Sequence, residues 1–368
     1  GDEKTALLKK LNGYKAYLAR NEADQKNYTI EKFNQLSDFD KSIHLKAFTT
    51  NQKDPYYHEL TTLKYQDGST EREVQVPKGD VLFQFREDVH AGKLPTVSWL
   101  VAPENFSDHP GAAWYGSWYI SEVMDILTKN PEVWKKTIFI LAYDENDGYF
   151  DHVPPFVVPN PANPESGKTS AGIDASLEFV TAKQQSSSPA DLRESPIGLG
   201  FRVPLVIASP WSRGGMVNSQ VFDHTSTLQF LEKFLLHKTG KRIEEANITS
   251  WRRAICGDLT SAFRPYNGEK IEFPASLDRD IVVEGIHKAK FKSPPTNYTK
   301  LSAADIEQFN RNPFDSSFMP QQETGTRQAC PLPYELYVDG RLTKDKQSFE
   351  LVMAAGNNVF GPVSAGSA

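Results

Sequence analysis

Three stretches of the chain are apolar without polar alternation: residues 97–103 (VSWLVAP), 137–143 (TIFILAY) and 203–210 (VPLVIASP). Such runs read as strands covered on both faces, as in a parallel sheet. Between the first two, residues 114–130 (WYGSWYISEVMDILTKN) carry a helical pattern that Asn130-Pro131 stops. Strand, helix and strand in this order predict a right-handed crossover, with the polar residues that follow each strand gathered along one sheet edge.

Other segments show the helical period. Leu7, Leu8, Leu11, Tyr14 and Leu18 fall at spacings of one, three and four within residues 3–24, an amphipathic helix with a Lys/Arg-rich outer face. A second helical piece over 29–48 completes a helical hairpin, expected to pack on the body as a surface insertion. Residues 81–90 and 251–263 are also read as helical. TLQFLEKFLLHKTGK is a helix with Thr225 or Ser226 expected at its N-cap. Asp67-Gly68 divides two strand-like runs and predicts a β-hairpin. Residues 157–195, rich in Pro, Ser, Gly and Ala, are expected to form an excursion or flap over the site. Residues 268–326 read as irregular and Pro-punctuated. From Tyr334 onward the period becomes two, marking a boundary near 328–333 and the start of an all-β module.

Composition narrows the function classes. With 41 basic and 47 acidic residues the formal charge is −6, and the basic residues form no dense run, so no nucleic-acid footprint is expected. The longest apolar run is far shorter than a bilayer span. Cys256 and Cys330 are the two cysteines and form no CxxC pair, which excludes a cysteine-based zinc site and leaves open one disulfide or two thiols. No G-x-S-x-G elbow is present. Gly167-Lys168-Thr169 lacks the earlier glycine of a phosphate-binding loop, and Gly198 with Gly200 lacks the third glycine of a dinucleotide fingerprint.

The candidate chemistry lies where the 137–143 run ends. Asp144, Glu145, Asp147 and Asp151 fall within eight residues, with Asn146 and His152 interleaved. Open α/β sheets place ligands at this end of a strand. Clustered carboxylates need a cation, protons or solvent to offset their repulsion. Hard oxygen ligands led by Asp144 and Glu145 suit a divalent ion, and a solvated acidic loop is the alternative. An EF-hand does not fit, because Gly148 comes one place early and Pro155 takes the last position. A second polar cluster, residues 104–110 with His109, follows the first apolar run. The reaction classes left open are metal-assisted phosphoryl transfer, glycoside hydrolysis and binding without catalysis.

Three motifs, LPTVSWLVAPENFSDHP, TIFILAYDENDGYFDHVPP and GLGFRVPLVIASPWSRGG running into VFDHTSTLQFLEKF, resemble those of bacterial phosphoesterases of the alkaline phosphatase superfamily, most of all the phosphocholine-specific phospholipase C branch. The resemblance implies an α/β fold comprising part of an alkaline-phosphatase-like sheet with flanking helices, the helical hairpin insertion (1–48), the C-terminal part of the phosphoesterase domain (49–327) and the start of a C-terminal β-sandwich (328–368). It implies a divalent metal ion held by Asp144 and Glu145, a phosphate contact from His109, and roles for Asp151 and His152 in the catalytic site; Asp223 and His224 fall in family motifs without an assigned role. It further implies hydrolysis of a phospholipid with a choline head group, and a secreted or periplasmic enzyme. Such enzymes carry a Glu-Asn metal motif and a Ser or Thr nucleophile in an N-terminal half, which this chain does not match. The chain is therefore expected to be an internal to C-terminal portion, inactive without the missing N-terminal half. The alternatives are a non-catalytic metal- or surface-binding module and an acid phosphatase of the same superfamily.

Overall fold

The computed structural model describes residues 2–47, 51, 53–109, 111–149, 151, 153–185, 192–212, 214–312, 325–329, 335–358 and 361–362. The first part of the chain forms helices α1 (Asp2–Asn27), α2 (Ile30–Asn34) and α3 (Asp38–Lys46), then strands β1 (Leu60–Asp67) and β2 (Thr70–Pro77) and helix α4 (Phe83–His90). Helices α5 (Ala113–Thr128) and α6 (Pro131–Trp134) precede short strands β3 (Phe139–Ala142), β4 (Phe179–Val180), β5 (Ser195–Pro196), β6 (Leu205–Ala208) and β7 (Met216–Val217). Helices α7 (His224–Thr239), α8 (Ser250–Ile255), α9 (Arg279–Ala289) and α10 (Ala303–Arg311) follow. Strands β8 (Gln328–Ala329), β9 (Glu335–Leu342), β10 (Phe349–Asn358) and β11 (Gly361–Pro362) end the described chain, a mixed α/β architecture as expected. The chain divides into two compact units, one of residues 1–103, 114–130 and 276–292, the other of 104–113, 131–275 and 293–368.

In the first unit the expected hairpin forms. Asp67 pairs with Thr70 across a two-residue loop whose first residue, Gly68, has φ +63°, a left-handed conformation that glycine adopts without a Cβ penalty. The inward positions of the hairpin bury Tyr65 and Val76. The Tyr65 hydroxyl lies 2.6 Å from His287 Nδ1 on α9, and the Arg72 guanidinium stacks 3.4 Å from the Phe291 ring. Phe85 and Val89, one turn apart on α4, are buried, as are Trp118, Tyr119, Val123, Ile126 and Leu127 on α5. This is the apolar stripe that the helical period requires. Arg86 joins α4 to α5 through Asp80 at 2.7 Å and Glu122 at 2.6 Å. No residue of α1, α2 or α3 whose exposure is described is buried, and the segment is tied to the rest of this unit at Lys46 of α3, whose ammonium meets Asp88 of α4 at 2.8 Å.

The second unit corrects the sheet. β3 pairs antiparallel with β6, Phe139 opposite Ala208 and Ala142 opposite Leu205. Residues 97–103 form no strand, and Val97, Trp99 and Val101 are exposed. The predicted parallel crossover is therefore absent among the described residues. Apolar content reports burial, not the direction of the neighbouring strand. Of the stretch 157–195, the described residues 157–185 and 192–195 are not a free flap. Val158 and Phe179 are buried against Trp251, with Ile173, Leu199 and Ile255 packed around them, and β4 pairs with β5. At the end of the chain β9, β10 and β11 form a three-stranded antiparallel sheet, the all-β start that the period-two pattern predicted.

Two helices lie in the segment expected to be irregular. Asp278 caps α9, accepting from the N–H groups of Asp280 and Ile281. Ser302 and Asp305 form a reciprocal capping box at the start of α10. In the sequence these caps correspond to D-x-D at 278–280 and S-x-x-D at 302–305.

Candidate active site at the exit of strand β3

β3 delivers the chain to the acidic loop and β6 holds its end, since the Tyr143 N–H donates to Pro204 O at 3.2 Å. The loop then turns sharply at Asn146–Asp147–Gly148–Tyr149. Asp147 (φ +52°) and Gly148 (φ +71°) are both left-handed, the requirement of a type I′ turn, and Asp is among the few side chains that accept it. The Asn146 side-chain amide donates to Tyr149 O at 2.5 Å and the Tyr149 N–H donates to Asn146 O at 3.1 Å. Between the Tyr143 contact with Pro204 and the turn lie Asp144 and Glu145, which are thus fixed at both ends.

Both carboxylates are exposed, and Asp144 Oδ1 accepts the Glu145 N–H at 3.0 Å. Neither makes an ion pair with a described residue, in contrast to Asp151 further along the loop. Asp151 is engaged from four directions. Arg202 grips it through Nε at 2.8 Å and Nη2 at 2.9 Å, and the N–H groups of Arg202 and Val153 donate at 3.0 and 3.1 Å. The Arg202 side chain holds the Asp151 carboxyl well below the usual carboxylate range. Asp151 is therefore an anionic brace that ties the loop to the β6 approach.

His224 also reaches this place. Its Nε2 donates to Tyr143 O at 2.8 Å, one residue before Asp144. The contact depends on the start of α7, where Asp223 caps the helix by accepting from Thr225 N at 2.9 Å and Thr225 Oγ1 at 2.6 Å, while its own N–H donates to Ser226 Oγ at 3.0 Å. The cap is Asp223 rather than the expected Thr225 or Ser226, because the Asp carboxylate reaches the orphan N–H groups that the helix begins with. Asp223 is held in turn by Arg252 Nη1 at 2.6 Å. Arg252 also clasps Glu178 with Nε and Nη2, both at 2.9 Å, and donates to Gly198 O at 2.9 Å. Burial opposes the charge of Arg252, but the hydrogen bonds it donates to Glu178 and Asp223 leave its pKa raised. Arg252 and Glu178 stand far apart in the sequence with no local motif, so nothing in the chain order pointed to them.

His109 is exposed in the same unit, just after a single 3₁₀ turn over Glu104–Phe106. His152 and Cys330 lie outside the described residues. Cys256 is a buried free thiol whose pKa is pushed up by burial and by Asp223. Among the described residues no three His, Cys, Asp or Glu side chains gather as a metal-binding group. The donor chemistry of Asp144 and Glu145, two unpaired hard-oxygen ligands, fits part of a divalent-ion shell of six or so oxygens.

Residues 4–235 match the phosphoesterase family model. The chain is 43% identical over 276 residues to a non-hemolytic phospholipase C of Pseudomonas aeruginosa, covering 73% of this chain and 35% of that protein. It is 39% identical over 302 residues to a non-hemolytic phospholipase C of Burkholderia pseudomallei, covering 78% of this chain and 39% of the relative. Phospholipase C A of Mycobacterium tuberculosis is 41% identical over 182 residues, covering 49% of this chain and 31% of that protein. The chain thus spans well under half the length of these relatives. With a family match over most of its length, the chain belongs to the phosphoesterase family.

Proposed function

We propose that this chain contributes one part of the catalytic centre of a phospholipase C, acting on the phosphodiester of a phospholipid with a choline head group. Asp144 and Glu145 hold a divalent ion, His109 contacts the phosphate, His152 belongs to the same catalytic site, and Asp151 keeps the acidic loop in place. The observation that carries the reading is the pair of acids left without a cationic partner between a strand end and a closed turn. The printed names of the relatives, all phospholipases C, support the reaction class.

A bound divalent ion supplies positive charge that offsets charge on the phosphoryl oxygens. The residues of this chain act around it. The Asn146 turn and the β6 contact hold the two carboxylates in one place, and the Asp151–Arg202 clasp restrains the segment that follows. A histidine N–H such as that of His109 stabilises a phosphate by a charge-assisted hydrogen bond. No residue of this chain is assigned as nucleophile. Turnover is proposed for a protein of the relatives' length, with this chain alone releasing little phosphocholine. Robust release by this chain would place a nucleophile within it.

The absence of a three-ligand group among the described residues favours a second reading, an acidic loop that is merely solvated. Titrating phosphocholine into the chain with and without divalent ions, and following the choline methyl signal by NMR, separates the two. The proposal expects binding that needs the ion and weakens in His109→Ala. Binding that ignores both the ion and His109 would support the solvated loop.

A further inference from the structure

Helix α1 is unlike the other long helices of this protein, because it leaves an apolar stripe uncovered. Leu7, Leu11, Tyr14 and Leu18 recur at spacings of four, three and four, and their exposures are 60%, 47%, 70% and 59%. Leu8 and Tyr17 lie at the margins, also exposed. On α5, by contrast, the stripe of Trp118, Val123, Ile126 and Leu127 is buried. A helix of 26 residues is about 39 Å long, and helices without tertiary packing are marginal in water. A contiguous apolar face on such a helix marks an interaction surface.

Charge indicates what covers it. From Lys4 to Arg20 the helix carries Lys4, Lys9, Lys10, Lys15 and Arg20 and no acid, in a chain whose net charge is −6. At 3.6 residues per turn, Lys10 and Lys15 lie roughly 70° to either side of the stripe's midline. Their long stems can lie along an apolar surface while the ammonium groups reach outward. A second copy of the helix is a poor occupant. In a parallel pair Lys10 meets Lys15 of the copy, which sets like charges together along both flanks of the stripe. Tyrosines at the stripe and basic residues at its flanks are the composition of a helix lying in a bilayer interface. Beyond Arg20 the helix turns polar and acidic, with Asn21, Glu22 and Asp24, and that end stands off an anionic surface.

We propose that α1 docks this protein on an anionic lipid surface, with Leu7, Leu11, Tyr14 and Leu18 inserted among the acyl chains and Lys10 and Lys15 against the head groups. The docking does not rest on the metal centre and is measured in the presence of a chelator, so failure of the catalytic reading leaves it untouched.

Co-sedimentation of the chain with phosphatidylcholine vesicles, with and without phosphatidylserine, tests this. Binding is expected for the anionic vesicles and to weaken as salt is raised. Lys10→Gln with Lys15→Gln should weaken it about 25-fold, at about fivefold per basic residue near the membrane. Leu11→Gln with Leu18→Gln should weaken it by at least about tenfold. Far-UV circular dichroism checks that α1 remains helical in each variant. Equal binding to neutral vesicles, or anionic binding indifferent to both variants, would overturn the proposal. So would a dimer in sedimentation that Leu11→Gln with Leu18→Gln dissolves while no vesicle binding is seen.

Discussion

Replacing Arg252 by Met should cost this protein a large share of its stability. The methionine keeps most of the aliphatic stem but removes the guanidinium that holds Glu178, Asp223 and Gly198 O. The side chains of Glu178 and Asp223 are only 3% and 4% exposed, so both carboxylates would be left buried without a counter-charge. Breaking a buried pair by removing one partner costs about 3–5 kcal/mol, against a typical total stability of about 5–15 kcal/mol. With a urea slope of roughly 1–3 kcal/mol per molar, the midpoint should fall by more than about 1 M. Trp251, fully buried with its ring 5.8 Å from the Arg252 guanidinium, provides a fluorescence signal for the transition. Adding Glu178→Gln to the variant should restore part of the loss, because it removes one stranded charge, and the double-mutant cycle reports that coupling. A loss within about 0.5 kcal/mol, the size of an ordinary surface substitution, would refute the hub role of Arg252.

Three further outcomes follow from other parts of the molecule. Gly148→Ala puts a Cβ on a residue at φ +71° beside the left-handed Asp147, and should destabilise the acidic loop by about 1 kcal/mol and weaken divalent-ion affinity, read by calorimetry. Burial pushes Tyr119 up to about 12 from 10.0, so its folded state favours the neutral phenol; that stability is present below pH 10 and is lost as pH rises toward 12. Tyr119→Phe should remove that part of the alkaline loss in a series of urea melts. In a Cys330→Ser background, Cys256 should resist a thiol reagent in the native state and react only on unfolding, since it is buried and its thiolate is disfavoured.

Local periodicity carried much of the fold. The stripe on α5, the hairpin at Gly68 and the period-two hairpin of β9 and β10 formed where their patterns lay, because each is stabilised mainly by near neighbours. Failures arose where a distant partner decides. Residues 97–103 have strand composition, but a strand exists only with a hydrogen-bonded neighbour, and none pairs with them among the described residues. β3 forms within its apolar run, but nothing in that run's composition specifies β6 as an antiparallel partner. At the candidate site, the acids and the turn were legible because Asp144 to Gly148 are contiguous. The Arg202 clasp on Asp151 and the path from Arg252 through Asp223 to His224 and Tyr143 O link residues dozens of positions apart, and no spacing rule encodes them.

The account turns on Asp144 and Glu145 as ligands of a divalent ion. Isothermal titration of calcium, zinc, magnesium and manganese ions into the chain, and into the Asp144→Asn, Glu145→Gln double variant, measures this directly. The account predicts uptake of at least one of these ions at one site per chain, abolished in the double variant while the urea midpoint stays unchanged. Uptake that persists in the double variant, or no uptake of any of the four by the parent chain, would contradict it.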